Sequence, residues 1–60
     1  MRLLTINELL RLTRRKLCEL AARINAALPS FPEGSAERAT ALANLTNIRA
    51  VLARAAPKPG

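Results

Sequence analysis

Apolar side chains recur through the first half of the chain at alternating spacings of three and four: Leu3, Ile6, Leu10, Thr13 (the one polar member), Leu17, Leu20, Ile24 and Ala27. At about 100° per residue they fall in one stripe roughly 120° wide, joined by Leu9, Ala21 and Leu28. This is the period of an amphipathic helix, and nothing in the chain alternates with period two. Thr5 followed by Glu8 has the form of a capping box, and Leu4 and Leu9 stand at the two positions of a hydrophobic staple around it. Pro29 disfavours helical geometry at Leu28. The pattern therefore predicts a first helix over about residues 6–28, about 35 Å long.

Residues 29–35 contain two prolines and a glycine and form a connector of a length suited to antiparallel helices. Phe31 is expected to plug this end of the molecule. Ser35 is the natural N-cap of a second helix, with Glu37 in the first turn where the helix dipole favours a carboxylate. Ala41, Leu45, Ile48, Leu52 and Ala55 repeat the same spacing, flanked by Leu42 and Val51, so the second helix is expected over about 36–55. Residues 57–60 read as a disordered tail. The expected fold is all-α: one domain over residues 1–56, an antiparallel two-helix hairpin able to dimerise into a four-helix bundle. Leu17 and Leu20 should meet Leu45, Ile48 and Leu52. Thr13, in mid-stripe, is placed where a polar group can set register.

Size makes the dimer attractive. A chain of 60 residues buries only about 60% of the surface its unfolded form exposes. Cys18 is the sole cysteine and histidine is absent, so neither a disulfide within the chain nor a nitrogen–sulfur metal site is expected. A lone thiol fits a reducing compartment, and the first residues do not read as an export signal. No segment approaches 18 uncharged apolar residues. A cytoplasmic protein off the membrane is expected.

The formal charge of +6 favours acidic partners without choosing among them. Catalysis needs a nucleophile beside a base, paired carboxylates in a pocket, or a metal, and this chain has no histidine to act as the base. Cys18, at the stripe's edge, reads as a small packing residue. The glutamates read as surface partners, with Arg15–Glu19 and Glu19–Arg23 at helical i,i+4 spacing. No enzyme activity, cofactor or small-molecule substrate is expected.

Binding is the remaining class, and three surfaces are candidates. Leu12 projects away from the stripe among Glu8, Arg11, Arg15, Glu19 and Arg23, the setting of an apolar interface anchor, although single exposed leucines are also commonplace. Arg11, Arg14, Arg15 and Lys16 put four cations within six residues, but not on one face and without aromatics to stack on bases. Ala36, Ala39, Ala43, Thr46, Asn47 and Ala50 form a nearly uncharged strip where another helix could approach, or where alanine merely favours helix. The candidate protein-binding residues are Leu9, Arg11, Leu12, Arg15 and Lys16, with Leu9 widening the contact from the stripe's edge. Two long helices and a proline-rich loop do not fit a DNA-binding helix-turn-helix, whose shorter helices meet at a tight turn. Nucleic-acid binding is thus the second choice, as a small basic DNA-binding or nucleoid-associated protein.

The run from Leu4 to Leu20, then Leu28-Pro29, then Pro32 to Arg38 and Asn44 to Arg54, resembles the QseM-like family of small antiactivators carried on integrative and conjugative elements of rhizobia and related proteobacteria. The resemblance spans roughly residues 3–54. It implies a protein that holds conjugative transfer off by binding a LuxR-type quorum-sensing activator, and also an activator of excisionase expression. No binding residues are carried over from it.

Overall fold

A computed structural model of the chain describes residues 2–55. They form three α-helices and a short 3-10 turn, with no strand among the described residues: α1 (Ile6–Leu10), α2 (Arg14–Ala27), the turn Leu28–Ser30, and α3 (Ala36–Ala55). Both α1 and α2 pack on α3. The expected second helix is present over its whole length. The expected first helix is not continuous; it breaks at Arg11–Thr13.

The capping box forms as expected. The Thr5 hydroxyl accepts from the Glu8 N–H at 3.2 Å, and the Glu8 carboxylate accepts from the Thr5 N–H at 3.2 Å. The same helix then stops after five residues. The N–H groups of Arg11 and Leu12 reach back only three residues, to the carbonyls of Glu8 and Leu9, closing the last turn tightly. Thr13 then takes extended geometry (φ −70°, ψ 161°) and its hydroxyl accepts from the Lys16 N–H at 3.2 Å. Thr13 is therefore the N-cap of α2 rather than a register-setting residue inside a stripe. A threonine offers the backbone this local alternative to helix, and here the alternative prevails.

The break turns residues 2–10 back along α3. Asn44, at the middle of α3 and fully buried, holds the extended segment ahead of α1. Its Oδ1 accepts from the Leu4 N–H at 2.7 Å, and its Nδ2 donates to the Arg2 carbonyl at 3.0 Å. One turn on, Asn47 Nδ2 donates to the Leu4 carbonyl at 3.1 Å. The Arg2 guanidinium and the Glu8 carboxylate form an ion pair, the only one among the described residues. The i,i+4 pairs expected from Glu19 are not formed there.

The core comprises Leu9, Leu17, Ile24, Ala41, Leu45, Ile48 and Val51, with Leu4, Ile6, Leu20, Ala21, Leu28, Phe31 and Leu52 packed against it. Leu17, Leu20, Leu45, Ile48 and Leu52 thus share one cluster, as expected, and Phe31 packs at its edge. The reorientation of α1 changes which face it buries. Leu9 is buried, while Leu10 is 52% and Leu3 55% exposed, although both belong to the apolar stripe. Cys18, expected at the edge of packing, is exposed.

The α2–α3 connection is short and well tied. Ser35 N–H donates to the Pro32 carbonyl, and Gly34 at the third position has φ +79°, as a type II turn requires. The Ser35 hydroxyl accepts from the Arg38 N–H at 3.1 Å, capping α3. The Arg38 guanidinium donates to the Leu28 carbonyl at 3.2 Å, where a cation favours the end of α2. No described helix is long and apolar enough to cross a membrane. The tail expected over 57–60 lies outside the described residues.

Candidate protein-binding site

Helix α2 is amphipathic, with Leu17 and Ile24 buried on α3 and its polar residues facing out. The break ahead of it holds Leu12, 38% exposed, beside the first turn. Leu12, Lys16, Glu19, Leu20 and Arg23 together line a shallow groove of about 180 Å³. Spacings of three and four place Lys16, Glu19, Leu20 and Arg23 along one side of the helix. Leu12 and Leu20 supply the apolar floor, and two cations and one anion form the rim. Arg11, Arg14 and Arg15 are all exposed in the same region. The potential over this end of the molecule is therefore positive.

Of the sequence candidates, Leu12 and Lys16 line the groove, and Arg11 and Arg15 stand exposed beside it. Leu9 does not belong to the site. It is fully buried, because the turn at Arg11–Thr13 swings that side of α1 onto α3. Leu20 and Arg23 join the site instead. Leu20, a member of the expected core stripe, is half-buried and serves both the core and the groove. Lys16 to Arg23 is two turns of one helix side, and this spacing was readable.

The small-residue strip of α3 is only partly open. Ala36, Ala39, Thr46 and Ala50 are exposed, but Asn47 is engaged by the carbonyl of Leu4 and Ala43 is half-buried. A second concavity, of about 250 Å³, lies by the connector between Gly34, Ser35, Arg38, Ala39 and Leu42.

Among the described residues one carboxyl is clearly perturbed. Glu8 is lowered to about 2, first by the hydrogen bond from Arg2, then by the Thr5 N–H. Arg2 is raised in turn by the same partner. Both side chains are well exposed, so this pair steadies the segment before α1 but is screened by solvent. Among the described residues no three His, Cys, Asp or Glu side chains gather to hold a metal ion.

Comparison with protein-family models, with curated proteins and with solved structures returns no match.

Proposed function

We propose that this chain is a non-enzymatic, cytoplasmic regulator that acts by binding another protein: a transcriptional antiactivator directed at a LuxR-type activator and, through the same kind of contact, at an activator of excisionase expression. The observation that carries the binding part is the groove of Leu12 and Leu20 rimmed by Lys16, Glu19 and Arg23, on a helix face that the chain uses for its own packing at Leu20 alone. An apolar floor within an excess of cations suits an amphipathic, acidic segment of a partner protein. The resemblance of residues 3–54 to the small antiactivators supplies the class of partner.

Such a protein needs no reaction chemistry. It needs a rigid surface that competes for one the activator uses elsewhere. Calorimetric titration of the purified activator with the full chain tests this. Leu12→Ala should weaken binding about five- to thirtyfold, equivalent to about 1–2 kcal/mol, while leaving the melting temperature nearly unchanged. Unchanged affinity in a folded Leu12→Ala chain would place the contact elsewhere. A shift of bare DNA whose affinity falls steeply with salt would support the DNA-binding alternative instead.

A further inference from the structure

Besides the packing of Leu4 on the core, the segment ahead of α1 is bonded to α3 through its backbone groups. Asn44 presents one acceptor and one donor to the N–H of Leu4 and the C=O of Arg2, and Asn47 donates to the C=O of Leu4. A carboxamide facing residues i and i+2 of an extended chain reads main-chain groups, so any identical segment makes the same bonds. The polypeptide connecting this arm to the rest of the fold is the short break Arg11–Thr13, which contains neither glycine nor proline. Thr13 already has a helical φ of −70°, and its ψ of 161° separates it from helix. The apolar stripe runs through the break at unbroken helical spacing, from Leu3, Ile6 and Leu10 to Leu17, Leu20 and Ile24. In the closed chain that stripe is half wasted, since Leu3 and Leu10 are more than half exposed.

We propose that residues 2–10 are an exchangeable arm, and that two copies of this chain dimerise by seating each other's arm on Asn44 and Asn47. Straightening Arg11–Thr13 joins α1 and α2 into one helix and carries the arm off its own α3. The vacated site then accepts the one ligand certain to fit it, the same segment of a second copy. Exchange of an identical element keeps every bond of the closed form and changes only the hinge, so it is a low-cost route to a dimer. This inference is independent of the antiactivator reading, because its ligand is the chain itself.

The test uses the full-length, reduced chain at millimolar concentration, as an equal mixture of isotope-labelled and unlabelled copies. Filtered nuclear Overhauser spectra should show contact between the Leu4 amide of one copy and the Asn44 side chain of the other. Thr13→Ala removes the cap that holds the hinge bent. It should tighten self-association about fivefold per hinge, roughly 25-fold for the pair. Thr13→Pro should do the opposite: proline keeps φ near −70° but bars the continuous helix, so the chain stays monomeric. Sedimentation of the three chains gives this order. A dimer in which Leu4 touches Asn44 only within its own copy overturns the proposal. So does a wild-type chain and a folded Thr13→Ala chain that both remain monomeric at millimolar concentration.

Discussion

Asn44 is the most consequential side chain in this fold for its size. Replacing it by alanine removes two hydrogen bonds, at 2.7 and 3.0 Å, from a position with no solvent exposure. Each such bond contributes about 1 kcal/mol net, and the void left in an enclosed site adds a fraction more. The expected loss is about 2–3 kcal/mol. A chain of this length has a total stability of roughly 3–9 kcal/mol, so the loss is a large share of it. In thermal terms it corresponds to a fall of roughly 10–20 °C.

The loss should also be local before it is global. With its anchor gone, the arm detaches while α2 and α3 remain paired, so the Leu4 amide should exchange with solvent far faster than the amides of Ile48 or Val51. Urea titration followed by circular dichroism, with amide exchange on the same sample, reads both effects. Asn44→Asp sharpens the comparison. A carboxylate can still accept from the Leu4 N–H, but it turns an acceptor toward the Arg2 carbonyl and buries a charge, so it should cost more than alanine. If Asn44→Ala melts within 0.5 kcal/mol (roughly the usual limit for a surface substitution) of the parent and Leu4 stays protected, the arm is not held as described here.

Other outcomes follow from the same geometry. Leu9→Ala should cost about 2–5 kcal/mol in melts, whereas Leu10→Ala, one residue on but more than half exposed, should cost far less; equal effects would contradict the orientation of α1. Glu8 is lowered to about 2 in the folded chain against an ordinary 4.5, so its contribution is complete at neutral pH and is lost as pH falls from about 4.5 toward 2. Acid titration of Glu8→Gln should lack that component, and a parent-like slope in this window would sink the assignment. Gly34→Ala meets no atom within 4 Å but must adopt φ +79°, so it should destabilise by about 1–2 kcal/mol through backbone strain alone, read by urea midpoint. Charge reversal at Arg15 should slow association with the proposed activator partner more than it speeds release, an effect that high salt masks.

The helical class, the capping box at Thr5, the connector and the whole of α3 were legible, because each rests on local signals: period, cap residues, prolines and a glycine. The break was not. Period 3.6 runs smoothly through Arg11–Thr13, and leucine and arginine on either side of Thr13 are good helix formers. Whether a threonine caps a new helix or sits inside an old one depends on what the chain gains by turning there. That gain lies at Asn44 and Asn47, some thirty residues away in sequence. The sequence reading gives Asn44 no structural role, yet it lies one turn before Ile48 and one after Ala41, on the buried arc. The site was partly legible for the same reason. Leu12 was identified as an apolar residue with no role in the core, while Leu9 was misplaced because its burial follows from the turn and not from the stripe.

The turn also bears on what kind of dimer this chain can form. Along α3 the buried residues Ala41, Asn44, Leu45, Ile48 and Val51 spread over about 120° at 100° per residue. One partner helix covers less than that. In a plain hairpin, Val51 and the Asn44 side of α3 would face water, and a second hairpin would be needed to cover them, which is the physical case for a four-helix bundle. Folding the arm back covers that side from within the chain. It leaves Leu3, Leu10, Leu12 and Leu42 exposed, but the stripe a bundle would use is already occupied at Leu17, Ile24, Leu45 and Ile48. Face-to-face pairing of intact monomers therefore has little buried apolar area to gain. Arm exchange needs no new apolar surface at all. It draws on contacts that the closed chain already makes, and its equilibrium is set by the hinge and by concentration, which is why substitutions at Thr13, outside the core and the groove, should move self-association in both directions.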